Sequence, residues 1–156
     1  MTVALDDPAV GAPDGTMRVS GGIAEEWYVE TSALVKLFVI EEHSLELIAW
    51  LDGLEERGGA VLVSDLGRTE AYRAVVRAEP ELSGTVGPLL DDLAGVRLSE
   101  RDLAHARVLQ PMTVRTLDAL HLAIALGHEG RTAGIVTYDR RIVEAAAALG
   151  IRTVSP

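Results

Sequence analysis

Trp27-Tyr28-Val29-Glu30-Thr31-Ser32-Ala33-Leu34-Val35-Lys36-Leu37-Phe38-Val39 is the stretch that decides the fold. It opens with three residues suited to a strand, passes through one carboxylate, and enters an apolar helical run over Ala33–Val39. The pattern returns at Ala60-Val61-Leu62-Val63, a buried strand followed by Ser64 or Asp65, either of which can cap a helix reaching about Ala78.

Outward from these two units the alternation continues. A helix is expected over about Glu42–Glu56, where Leu45, Ile48 and Leu51 recur three apart, and Gly58-Gly59 breaks it. Pro80 suits the first turn of a further helix ending near Ala94-Gly95. Val96–Leu98 reads as a short strand, and Ser99-Glu100-Arg101-Asp102 opens a helix on a capping-box-like turn that Pro111 stops. Thr116 is expected to cap a helix over Leu117–His128, closed by Gly130. A strand over Ile135–Thr137, a helix over Arg140–Leu149 ended by Gly150, and a strand over Ile151–Val154 complete the series. Residues 1–22 are rich in Gly, Pro, Asp and Ala without apolar periodicity and read as a flexible leader, native or left by cloning. That leaves one domain over 23–156. Strands alternating with helices imply an α/β fold with a parallel sheet covered on both faces, whose ligands bind beyond the carboxyl ends of the strands.

Composition agrees. The 156 residues are 48% hydrophobic and 24% charged but only 4% aromatic, so Ala, Val, Leu and Ile build the core. With no cysteine, a disulfide framework, a thiolate metal site and a cysteine nucleophile are excluded together, which fits a reducing cytoplasm. No apolar run reaches the ~18 residues of a membrane span. The net charge of −10 stands against nucleic acid as a partner, but its distribution weakens the objection. The first 26 residues hold five acids against Arg18 alone, and Lys36 is the single lysine beside thirteen arginines. Arginine forks match phosphate oxygens, although a coding bias enriches arginine equally well.

Four acids then fall at the edge where such a fold binds its ligand. Glu30 directly follows the first strand, Asp139 the fourth, Asp118 lies in the first turn of its helix, and Glu70 about one and a half turns into the helix after the second strand. Each has a plain structural role open to it: Asp118 at a positive helix end, Asp139 as a cap, Glu70 on a solvated face. Glu30 is harder to explain so, because an unpaired buried carboxylate is costly. Gathered together, carboxylates repel and raise one another's pKa, and a hard divalent ion relieves this; Mg²⁺ or Mn²⁺ suits oxygen ligands. Phosphodiester hydrolysis is a natural reaction for such a site.

The motifs Val29-Glu30-Thr31-Ser32-Ala33-Leu34-Val35-Lys36-Leu37, Thr69-Glu70, Leu117-Asp118-Ala119-Leu120-His121 and Thr137-Tyr138-Asp139 resemble a PIN domain, most closely the VapC toxins of bacterial toxin–antitoxin pairs. The resemblance covers about residues 27–154. It implies a three-layer α-β-α fold with a five-stranded parallel sheet, Mg²⁺- or Mn²⁺-dependent endoribonuclease activity directed at tRNA or rRNA, a homodimer and a cognate antitoxin protein. It places the metal-site acids on Glu30, Glu70, Asp118 and Asp139, with the Thr137 hydroxyl in support. One departure stands out: the family's first acid is Asp, and here it is Glu30. The extra methylene pushes the carboxylate roughly 1.5 Å further out, and a ~1 Å misplacement can cost on the order of 10²-fold in rate. A catalytically weakened module that binds RNA or an antitoxin without cleavage is therefore the alternative reading.

Other residues carry less. His121 could shuttle protons or bind metal, but core packing is the plainer reading; His43, His105 and His128 lack ligand spacing. Arg73 and Arg77 share a helix face that either lines an RNA groove or is simply solvated, Asp65 reads as capping, and Leu34–Ile40 exceeds one buried face, which could mark an antitoxin groove. A phosphorelay receiver would need a lysine ending its last strand, where Ile151-Arg152-Thr153-Val154 stands instead; an aspartyl phosphatase would need Asp-x-Asp, which Glu30-Thr31-Ser32 cannot supply.

Overall fold

Parallel pairing of five short strands organises the chain. The computed structural model describes residues 25–128 and 132–156; the leader expected over 1–22 lies outside them. Strands β1 (Glu26–Val29), β2 (Ala60–Ser64), β3 (Gly95–Val96), β4 (Gly134–Val136) and β5 (Thr153–Val154) lie in the order β3-β2-β1-β4-β5, every neighbour parallel. Between them run α1 (Thr31–Lys36), α2 (Ser44–Glu56), α3 (Asp65–Ala78), α4 (Ser83–Asp91), α5 (Glu100–Val108), α6 (Thr116–Gly127) and α7 (Arg140–Ala148). The order runs outward from β1 in one direction and from β4 in the other, so the topological switch point falls between β1 and β4, where a crevice opens at the carboxyl edge.

The alternation of side chains along β1 divides the core into two layers. Trp27 and Val29 face α1 to α4, packing with Leu34, Leu47, Leu54, Val75 and Leu90. Tyr28 faces the opposite layer, with Leu122 and Ile124 of α6 and Ile142 of α7. Gly134 is required by crowding: a Cβ there would collide with the Arg152 carbonyl and stand 2.8 Å from the Trp27 ring. Among the described residues no helix is long and apolar enough to cross a membrane.

The helix caps explain where sequence reading held and where it slipped. Ser64 caps α3 by accepting from Gly67 N, and Ser99 with Asp102 forms the expected capping box on α5. Helix α6 begins at Thr116 itself, after Arg115, with no side-chain cap. Helix α2 begins at Ser44, because His43 takes a left-handed φ of 67° that interrupts the helical pattern. Pro80 opens a 3-10 turn, Pro80–Leu82, before α4, and β3 sits one residue earlier than the pattern Val96–Leu98 predicts. Ile40, at 72% exposure, ends the apolar run after α1 at the surface.

Candidate active site

The ladder of β1 ends on Glu30, whose N–H donates to Val136 O at 3.0 Å. Its carboxylate then turns back to cap α1. Glu30 Oε2 accepts from Ser32 N at 3.0 Å, Ser32 Oγ at 2.5 Å and Thr137 Oγ1 at 2.7 Å. The expected outward reach is therefore not seen. The added methylene is taken up by curling toward the helix N-terminus, where unpaired N–H groups and a hydroxyl from β4's end attract the charge. Thr137, fully buried, also accepts from Asp139 N at 3.1 Å and so links Glu30 to the fourth acid's backbone.

Glu70 is held from behind. Its Oε2 accepts from Thr31 Oγ1 at 2.7 Å and lies 2.6 Å from His121 Nε2. His121 is 2% exposed, so the core reading of this histidine is right about burial, yet both ring nitrogens have polar partners. Nδ1 lies 2.6 Å from Tyr28 Oη, which lies 2.9 Å from Ser64 Oγ, which in turn accepts from Gly67 N at 3.0 Å. One proton arrangement satisfies every atom: Ser64 donates to Tyr28, Tyr28 to Nδ1, and Nε2–H to Glu70. Burial pushes the Glu70 carboxyl up, but the hydrogen bonds from His121 and Thr31 outweigh it and hold the group below its usual range. Burial likewise pushes the Tyr28 phenol far up, so it remains a donor.

Asp118 and Asp139 form the less compensated pair. Burial first, and then the charge of Asp139, push the Asp118 carboxyl up, even with Arg141, Arg115 and His121 acting against the shift. Asp139 caps α7 through Oδ1, which accepts from Arg141 N at 2.8 Å. Its Oδ2 accepts from Arg141 Nη2 at 2.7 Å, while Arg141 Nε stands 3.4 Å from Asp118 Oδ2.

All four acids line one cleft of about 430 Å³, together with Thr31, Ser32, Arg115, His121 and Arg141. They share the cleft without meeting at a point: among the described residues no three acid or imidazole groups stand close enough to form a finished metal cage. That geometry, with excess negative charge at Asp118 and Asp139, fits an ion that keeps several waters and takes few protein oxygens, as Mg²⁺ does. Arg73 and Arg77 are exposed on α3 and outside the cleft; Arg73 lines a separate groove with Arg68 and Tyr72. Asp65 is exposed and stands 3.7 Å from Arg68. The arginines that do line the cleft, Arg115 and Arg141, escaped the sequence reading. The signal was present, since one precedes Asp118 by three residues and the other follows Asp139 by two.

A doubly wound parallel sheet with an acidic cleft at its switch point defines the class: an α/β domain built around a carboxylate site. Residues 27–148 match the family model described as PIN domain. The chain is 37% identical over 130 residues to Ribonuclease VapC47 of Mycobacterium tuberculosis, covering 83% of this chain and 96% of that protein. It is 37% identical over 131 residues to Ribonuclease VapC35 of the same organism, with the same coverage. The chain belongs to the PIN-domain family, within its VapC branch. The crystal structure of Mycobacterium tuberculosis VapC20, described as a Sarcin-Ricin loop cleaving toxin, matches the fold with a TM-score of 0.62 at 14% identity, over 83% of this chain and 98% of that one. The resemblance read from the sequence motifs is thus borne out.

Proposed function

We propose that the chain is a divalent-metal-dependent endoribonuclease, the toxin of a toxin–antitoxin pair, acting on tRNA or rRNA and silenced by a cognate antitoxin protein. The observation that carries this reading is the cleft lined by Glu30, Glu70, Asp118 and Asp139 at the switch point of a PIN fold, in a chain 37% identical to named ribonucleases.

In this reading the four carboxylates hold Mg²⁺ or Mn²⁺, each with distinct support. Ser32 and Thr137 orient Glu30; Thr31 and His121 orient Glu70; the first turn of α6 presents Asp118 and the start of α7 presents Asp139. A bound divalent ion supplies charge to polarise a phosphodiester and to acidify water. Arg115 and Arg141 bring positive charge to the same cleft, which a chain of net charge −10 needs if it is to receive a polyanion. A homodimer in the cytoplasm completes the proposal.

The second reading, a weakened module that binds RNA or antitoxin without cutting, is favoured by one observation: Glu30 Oε2 is already committed to three donors. Incubating purified protein with bulk tRNA and rRNA, with Mg²⁺ or with EDTA, separates the two. Cleavage that needs the metal and falls by more than roughly 10²-fold in Asp139→Asn is the expected result. Undiminished cleavage in excess EDTA would overturn the metal-dependent reading, and binding with no cleavage at any metal concentration would establish the second.

A further inference from the structure

Arg141 stands where two acids most need a cation. Its Nη2 donates to Asp139 Oδ2 at 2.7 Å and its Nε lies 3.4 Å from Asp118 Oδ2, so a single guanidinium spans the pair. Its backbone is anchored by the N–H bond to Asp139 Oδ1, whereas its side chain remains 53% exposed. The anchor fixes the root, while the exposed arm is held only by its contacts with the two acids. The same side chain also lines a neighbouring pocket of about 280 Å³ between the start of α6 and α7, shared with Arg115, Thr113 and Glu144. One arm therefore borders two spaces, the acid cleft and the pocket beside it.

Charge decides which space it occupies. One guanidinium offsets half the charge of two carboxylates; a divalent ion offsets all of it. A divalent ion and a guanidinium crowded against the same two acids repel each other. Binding of the ion and release of the arm are then linked, and the linkage is reciprocal. We propose that Arg141 is a resident counter-cation of the Asp118–Asp139 pair, displaced by the divalent ion and then turned toward the RNA phosphate. The proposal rests on the reading of the cleft as a metal-dependent ribonuclease site. The planar fork suits this second task, because it pairs with phosphate oxygens as readily as with carboxylates.

The test measures metal binding, apart from cleavage. Mn²⁺ dissociation constants are taken from the spectroscopic signal of the free ion for the parent chain, Arg141→Ala, and Arg141→Met, which retains the aliphatic stem. Both variants are expected to bind Mn²⁺ on the order of tenfold more tightly, since the competing cation is gone. Binding of a 2′-O-methyl oligoribonucleotide is then followed against salt. With Mn²⁺ present, removing Arg141 is expected to reduce the salt slope by about 0.7, the share of one single-strand phosphate contact. In EDTA the slope is expected to be unchanged, because the arm is held by the acids. Equal Mn²⁺ affinity in parent and variants would overturn this inference alone, as would a slope change that ignores the metal. Failure of parent and variants alike to bind Mn²⁺ would overturn the inference together with the metal-dependent reading.

Discussion

Tyr28→Phe removes one oxygen from the centre of the domain and tests the support behind Glu70. Tyr28 is fully buried, and its hydroxyl sits 2.6 Å from His121 Nδ1 and 2.9 Å from Ser64 Oγ. The phenylalanine ring fills the same space, so no cavity opens. The cost is instead an imidazole nitrogen left unpaired on a residue 2% exposed. Leaving one buried polar group unsatisfied costs roughly 1–3 kcal/mol, and the Ser64 hydroxyl loses its acceptor besides. We expect a net loss of about 2 kcal/mol, or a melting temperature lower by roughly 5–8 °C for a chain of this size. Urea denaturation, with an unchanged slope, checks the first figure. The second readout is pH. Glu70 is held below its ordinary value, so the stability it contributes is present above that value, near 4.5, and is lost as pH falls through the folded-state value. With His121 loosened, the depression shrinks, so the acid loss is smaller and is complete at a higher pH. A destabilisation below about 0.5 kcal/mol, with the acid limb unmoved, would refute the relay.

Three further substitutions, at two residues, separate stability from function. Asp118 is raised by burial and by Asp139, so its ionised form is disfavoured in the fold, and metal-free stability rises as pH falls through its folded-state value toward 3.8. Asp118→Asn, which mimics the neutral form, is therefore expected to stabilise the metal-free protein at neutral pH by about 0.5 kcal/mol or more while losing cleavage; a lower melting temperature in EDTA than the parent's contradicts this. Glu30→Asp is expected to raise single-turnover cleavage at least about tenfold with a smaller change in metal affinity, whereas Glu30→Gln is expected to lose both. A rate for Glu30→Asp no higher than the parent's would show that the longer side chain is accommodated.

Much of this architecture was legible because its determinants are local. The continuous apolar run at Ala60–Val63, the Ser64 cap, and the box formed by Ser99 and Asp102 each act within a few residues. The acids at strand ends followed from topology, since a parallel sheet brings those ends to one edge. Most of what escaped was set by partners distant in sequence. The Tyr28–His121 contact joins residues 93 apart, and nothing in Leu120-His121-Leu122 announces that its imidazole meets a phenol on one side and a carboxylate on the other. Arg141 lay within the expected helix over Arg140–Leu149, and only the fold brings Asp118 of α6 beside it. The start of α2 slipped because His43 adopts a left-handed backbone that composition does not forecast.

Glu30 shows why side-chain length matters even when charge is kept. As a helix cap an aspartate would serve at least as well, since short carboxylates are preferred at that position. Capping alone therefore gives no reason for the longer residue. The geometry supplies a different one: the same oxygen that accepts from Ser32 also accepts from Thr137, 107 residues away at the end of β4. Glu30 thus ties the exit of β1 to the exit of β4 across the switch point, which is the seam along which the cleft opens. A carboxylate whose Oε2 is engaged by three donors is a fixed charge, and an ion must take it where those donors hold it, through the other oxygen. Shortening the arm weakens the tie to Thr137 and leaves more of the carboxylate to the cleft. That is the physical reason Glu30→Asp is expected to gain rate and to lose rigidity at the β1–β4 seam together.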